Sequence, residues 1–373
     1  MKKIIRYITL LFLAQACVYP YNPEIDSAVN TLLVVDGSII IGGTSSINLS
    51  YLTPLGEDPG YQKPHGRAWI EDEEGNTYMS SSPSVLASNI SIPTEEAPGG
   101  RKYRAAIEVD GLQYYSDWME PLAPPVIKSV HFRADDRNVY VLADVEAGSE
   151  GTGYLGFAYE EDWEFHAEYI PEAEIDPHTW QYNLLIKNYP PYWCYKHFNS
   201  QGAVLVNYGS TDGTLAKDCV VQSFLRTNNR NHKRYYILVK AYNMPEEVYR
   251  YDHYLQELSE IGGTLFSPEP GQLTGNMHCE SKPELQVLGM VRAAQMSSMR
   301  ASIRTEYMIE TYPDDNTLVL PSPEDYETLY YVSGYRPVKS VNRDEGSGIG
   351  WGHERCINCI VAGGTQEKPS FWE

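Results

Sequence analysis

Cations are scarce in this chain. Against 50 Asp and Glu, its 373 residues carry only 29 Lys and Arg, for a net charge of −21. Nucleic-acid affinity comes largely from cations meeting phosphates, so a surface this negative argues against DNA or RNA as partners. Long apolar runs are missing as well. Beyond the first 16 residues no segment approaches 18 apolar residues, which leaves no candidate for a spanning helix. Phe is rare beside Tyr, 8 against 30. That imbalance favours rings with one wet edge, the kind found on sheet faces, rims and binding surfaces. Motifs that carry catalysis are also lacking. There is no HExxH, and no GxSxG elbow with a triad in a workable order. The glycines of Gly346-Ser347-Gly348-Ile349-Gly350 neither follow a strand nor open a helix, so they read as a loop and not a phosphate cradle. We therefore expect no enzyme activity, no cofactor and no metal.

What is present begins with an address. Lys2, Lys3 and Arg6 precede an apolar run from Tyr7 to Leu13, the layout of a secretory signal over residues 1–16. Ala14-Gln15-Ala16-Cys17 then sets small residues three and one before a cysteine, similar to the bacterial lipobox, and predicts lipidation at Cys17. Residues 17–30 read as an extended tether, and Asp26-Ser27-Ala28 offers Ser27 as an O-glycosylation candidate. Loss of the signal removes three cations and deepens the charge from −21 to −24. Acyl chains contribute about 0.8 kcal/mol per buried methylene, enough together to hold such a chain on a membrane surface. The expected location is the outer membrane, by lipid anchor.

Short strands separated by turns dominate the rest. Thr31 to Ile41 and Arg67 to Tyr78 read as strands, the latter broken by a turn at Glu74-Gly75-Asn76. Lys102 to Ser116 predicts a hairpin about Asp110-Gly111, a pair that tolerates the positive φ of a type I′ turn. Residues 31–120 are thus expected to form an immunoglobulin-like β-sandwich. Glu120 to Pro125 cannot continue a ladder, so residues 121–125 read as a linker. Strands at Val126–Phe132, Asn138–Val145, Tyr154–Tyr159, Ala203–Tyr208 and Tyr235–Ala241 predict a second β domain over residues 126–373. One amphipathic helix near 244–261 interrupts it. Asn243 is its expected cap, Pro245 and Glu246 suit its first turn, and Val248, Tyr251, Leu255 and Leu258 form an apolar stripe up to Gly262-Gly263. The fold class is mainly β, with two sandwich-like domains.

Setting Cys17 aside leaves five cysteines, an odd number. Cys356 and Cys359 have the spacing of a zinc knuckle or redox pair, but no second ligand pair accompanies them, and Ile-Val-Ala-Gly-Gly-Thr after them reads as a strand and turn. Structural disulfide bonding is the better reading in an oxidising compartment, with Cys356 and Cys359 joined to each other or to Cys194. Two clusters could carry chemistry. Glu164, His166 and Glu168 alternate onto one strand face, a possible metal face, though a solvated acidic face is the plainer reading. Tyr189, Tyr192, Trp193, Tyr195 and Phe198 crowd a Pro-Pro kink and either bury themselves or meet a ligand or partner.

CVYPYNPEID, LLVVDGSI, the run from AYNMPEEVYRYDHYLQ through GGTLFSPEPGQLTGNM, LGMV, and the tail CINCIVAGGTQEKPSFW together resemble the Bacteroidota lipoprotein family named domain of unknown function 4249. The resemblance implies an outer-membrane lipoprotein of β-sandwich architecture, commonly encoded beside TonB-dependent transporters. The resemblance leaves the biochemical role unsettled; taken with the anchor, the aromatic loop and the lack of a catalytic constellation, the expected role is a non-catalytic accessory or substrate-capture subunit of a complex with an outer-membrane β-barrel, a TonB-dependent transporter. The alternatives are a structural subunit of an assembly or secretion machine and a metal-dependent hydrolase.

Overall fold

The protein is described from a computed structural model covering residues 32–52, 63–148, 152–184, 189–209, 215–261, 275–304, 307, 309, 313–344 and 346–372. Cys17 and Ser27 lie outside these residues. The first unit is built from β1 (Leu33–Ile41), β2 (Thr44–Tyr51), β3 (Gly66–Asp72), β4 (Thr77–Met79), β5 (Asn89–Pro93), β6 (Tyr103–Val109) and β7 (Leu112–Ser116). Their alternation is clean. In β1, Leu33, Val35, Gly37, Ile39 and Ile41 face inward; Ile47 and Ile92 continue that face on β2 and β5, and Ile70, Tyr103 and Ile107 of the other sheet pack in the same core, all five with no exposed surface. The expected hairpin joins β6 to β7, with Asp110 at φ 52° and Gly111 at φ 77°, the doubly left-handed turn that Asp-Gly tolerates.

From residue 126 the chain builds β8 (Val126–Ala134), β9 (Asn138–Glu146), β10 (Tyr154–His166), β11 (Ala173–Ile175), β12 (Tyr182–Leu184), β13 (Trp193–Asn199), β14 (Val204–Asn207), β15 (Leu215–Leu225) and β16 (Arg234–Asn243). Helix α1 (Glu246–Ile261) follows, then β17 (Met277–Cys279), β18 (Leu288–Gln295), β19 (Ser297–Ile303), β20 (Tyr335–Arg343) and β21 (Gly346–His353). A sheet ordered β13-β10-β16-β19, with β14 also on β10, faces a sheet ordered β15-β9-β8. Leu155, Phe157, Val139, Val141, Ile237 and Val239 make the core between them.

The assignment of everything after residue 125 to this second unit is corrected for two strands. β17 pairs with β7, and β18 runs parallel to β1 from Val34↔Leu288 to Ile41↔Gln295, so both complete the first sandwich. Pairing of this kind joins segments about 250 residues apart and leaves no local periodicity to read. Gly289 permits it. Its φ is 110°, and a Cβ there would lie 1.8 Å from the Val35 carbonyl oxygen.

Helix α1 departs from expectation at both its start and its face. Asn243 ends β16, and its side-chain amide donates to the carbonyls of Ala123 and Ala147, so it ties the linker to the sheet and does not cap the helix. Val248 is buried but Leu255 is 40% exposed. The packed face instead runs through Val248 and Tyr249 to Asp252, which meets Arg292 of β18 in an ion pair that Asp36 of β1 shares. The glycine run is a strand, not a loop. β21 pairs with β20, and a Cβ on Gly350 or Gly352 would press on Leu318 at about 3.0–3.1 Å, so the glycines make room for packing.

Candidate functional site

Tail and sheet are fastened by one disulfide, Cys194 of β13 with Cys359, 165 residues on. Cys356 is a free thiol, as are buried Cys219 and Cys279, which corrects the expectation that Cys356 is oxidised. The reason is local: Glu354–Cys356 is a short 3-10 turn followed by further turns, not a strand, and Cys359 alone is carried to β13. Burial, reinforced by Glu168, pushes the Cys356 thiol up to about 11. It remains protonated near neutrality.

The aromatic loop splits in two. Tyr195 is covered by the chain's own tail, with Trp372 edge-on at 5.1 Å and Trp372 itself only 8% exposed. Tyr195 is half-buried, as Tyr192 is, with part of its ring against that tail. Tyr189 and Trp193 are exposed, and Tyr192 is half-buried. Tyr192 stacks on His166 at 5.0 Å, and Trp193 meets the same imidazole edge-on at 4.9 Å. His232 closes the group from the other side, its ring 4.1 Å from His166. Burial, with His166 alongside, depresses His232 to about 4. Lys233 lies 4.9 Å over the Trp193 ring while pairing with Glu164 at 2.5 Å.

These contacts also dispose of the possible metal face. Glu164 is engaged by Lys233, Nδ1 of His166 donates to the Ala167 carbonyl, and Glu168 turns to Cys356. The three side chains have separate partners and do not converge on a point.

A larger aromatic platform was not singled out from the sequence. Trp180 sits in a turn at φ 54°, held by its N–H on the Asp176 carbonyl. Around it gather Tyr326, Tyr330 and Tyr331 at centroid distances of 5.9, 6.0 and 6.2 Å. Tyr182 and Trp351 extend the group. The indole of fully buried Trp351 donates to the Tyr182 hydroxyl at 2.9 Å and stacks on Tyr326 at 5.2 Å, while Tyr182 donates to Tyr326 at 3.0 Å. Burial holds the Tyr182 phenol well above its usual range, so it is a fixed donor. Arg336 clamps the far side, lying 4.0 Å over Tyr330 and donating to its carbonyl.

The platform's tip is a π-helical turn, Thr328–Val332, closed by the Ser333 N–H on the Thr328 carbonyl. Such widened turns are uncommon and concentrate at functional sites. Here the turn leaves Tyr331 61% and Val332 81% exposed, and on β12, two residues after Tyr182, Leu184 is 79% exposed. The arrangement has a firm hydrogen-bonded base and large apolar side chains in water at its edge. Its sequence signal is the ring-rich stretch from Tyr326 through Tyr330-Tyr331-Val332, but its partners lie about 150 residues earlier and cannot be paired by spacing.

No curated protein matches the chain in comparison. Residues 18–300 match the model of the family described as Domain of unknown function (DUF4249), and with about three quarters of its length aligned this chain belongs to that family.

Proposed function

We propose that the protein is a non-catalytic, lipid-anchored outer-membrane subunit that docks on a β-barrel, a TonB-dependent transporter, as an accessory or substrate-capture component. One observation carries this reading: the aromatic platform keeps Leu184, Tyr331 and Val332 61–81% exposed on an otherwise strongly acidic protein. Tyr331 is the aromatic among them, and an exposed Tyr anchors protein interfaces since it loses little entropy and buries a large area, with Leu184 and Val332 adding apolar surface. The signal-like residues 1–16, Cys17 and the family resemblance support the membrane setting and the class of partner.

A stable interface of this kind buries about 1,200–2,000 Å². The test is affinity capture from detergent-solubilised membranes at native abundance, followed by identification of what co-migrates. Recovery of a barrel in stoichiometric amount supports the proposal. Migration as a lone monomer contradicts it.

A further inference from the structure

On the outer face of the three-stranded sheet, three adjacent strands bring together an imidazole and two carboxylates. Val139, Val141, Ala143 and Val145 of β9 point into the core, so alternation turns Asp144 outward. Ser129 of β8 is its direct cross-strand neighbour and His131 follows on the same face. From the other side, the bulge of β15 between Ala216 and Cys219 lifts Asp218 into place, with φ at 50°. Among the described residues the ligand atoms of His131, Asp144 and Asp218 all lie within 4.8 Å of one another.

The hydrogen bonds fix which atoms face each other. Ser129 Oγ donates its one hydrogen to Asp144 Oδ2 at 2.9 Å. Its contact with His131 Nδ1 at 3.4 Å then requires the hydrogen on Nδ1. In the neutral ring that leaves a lone pair on Nε2, which stands 3.0 Å from Asp218 Oδ1. Two lone pairs at that distance repel unless a cation lies between them, either a ring proton or a metal ion. Two ligands about 2.1 Å from one metal are about 3.0 Å apart at right angles and about 3.4 Å apart at the tetrahedral angle, so the 3.0 Å seen here fits a five- or six-coordinate ion directly and a tetrahedral one after a shift of about 0.4 Å. Asp144 supplies the third ligand. Its Oδ1 accepts from the Asp218 backbone N–H at 2.9 Å and its Oδ2 from Ser129 at 2.9 Å, which fixes the carboxylate beside the other two ligands.

We propose that His131 Nε2, Asp218 Oδ1 and a carboxylate oxygen of Asp144 bind a divalent transition-metal ion, with water completing an open coordination sphere. One imidazole nitrogen with two carboxylate oxygens suits Zn²⁺ or Co²⁺. All-oxygen cations such as Ca²⁺ and Mg²⁺ are poorly served by it. Ser129 is a positioning residue that presents the correct imidazole tautomer. His131 and Asp218 are 40% and 60% exposed, so the ion exchanges directly with solvent and joins β8, β9 and β15 across their outer face.

The experiment is calorimetric titration of the chelator-stripped mature chain with ZnCl₂, with CoCl₂ absorption as a second readout. One equivalent should bind, and equimolar Ca²⁺ should not displace it. His131→Ala and Asp218→Asn should each weaken binding at least tenfold while leaving the circular dichroism spectrum unchanged. Asn tolerates the left-handed backbone at position 218, so the second variant keeps the bulge. Ser129→Ala should weaken binding in the same direction by a smaller factor. If the wild type takes up no Zn²⁺ or Co²⁺, the contact is an ordinary His–Asp pair and the proposal fails. It fails equally if both variants bind as the wild type does, since the metal then sits on other histidines.

Discussion

Glu161→Gln should destabilise the second β unit strongly while preserving side-chain shape. Glu161 lies on β10 with no exposed surface. Arg230 grips it with two bonds, Nε to Oε1 at 3.0 Å and Nη2 to Oε2 at 2.8 Å. The Tyr235 hydroxyl adds a third at 2.7 Å and Gln222 a fourth at 3.2 Å. Arg230 in turn lies 4.4 Å over Trp163, so both charges are enclosed. With Gln at 161 the guanidinium keeps its desolvation cost but loses its counter-charge, and an amide hydrogen faces the donors. Breaking a buried pair this way costs about 3–5 kcal/mol. At about 2–4 °C per kcal/mol for a unit of this size, the melting temperature should fall by about 6–20 °C. Arg230 belongs to the turn Asn229–Asn231 that delivers His232 and Lys233 to the Tyr192–Trp193 group, so Trp fluorescence should change as well. The assay is urea denaturation followed by circular dichroism and fluorescence. Glu161→Leu with Arg230→Met and Tyr235→Phe should recover part of the loss, because it removes both desolvation costs and the buried hydroxyl that would otherwise lose its acceptor. A loss below about 1 kcal/mol for Glu161→Gln would refute the reasoning.

Three further outcomes follow from the geometry. Under denaturing, non-reducing conditions, thiol counting on Cys194, Cys219, Cys279, Cys356 and Cys359 should find three free thiols, and Cys359→Ala should cost about 2–5 kcal/mol given the long loop it closes; five free thiols would contradict the bridge. His232 is depressed to about 4 from 6.5, so between those values the unfolded chain binds a proton that the folded chain refuses. Its contribution is intact above pH 6.5 and is lost as pH falls toward 4, whereas Asp72 and Asp144, held below the usual carboxylate range, add losses only at lower pH; an unchanged slope of urea midpoint against pH in His232→Gln would contradict this. Gly289→Ala should destabilise the first sandwich by about 2 kcal/mol or more, through its left-handed φ and the Val35 carbonyl beside it, and a melting temperature within 1 °C of wild type would contradict the parallel β1–β18 pairing.

Local signals were legible wherever one segment determines its own structure. Asp110-Gly111 specified its hairpin because the two left-handed residues lie inside the motif, and β8, β9 and β16 appear where alternation placed them. Failures arise where a distant segment decides. Asn243 has the chemistry of a helix cap, yet the Ala123 and Ala147 carbonyls lie within its reach and need a donor. Leu255 follows the helical stripe, but Arg292 comes from β18 and draws Asp252 inward, which rotates the packed face. The site shows the same division. Tyr192 and Trp193 were visible as neighbours in one loop, whereas the cover over Tyr195 by Trp372 and the meeting of Trp180 with Tyr331 join residues about 150 or more apart.

The central claim is that the aromatic platform is a docking surface and not core. It is tested most directly by replacing Tyr331 and Val332 together with Ser and comparing barrel recovery in mild detergent with the melting temperature of the isolated protein. Because both side chains are largely in water, the account predicts that recovery falls at least tenfold while the melting temperature moves by no more than about 2 °C. Tyr192→Ala with Trp193→Ala provides the comparison at the second aromatic group. Undiminished recovery of the barrel with Tyr331→Ser and Val332→Ser, or loss of the folded state on making them, would contradict the account.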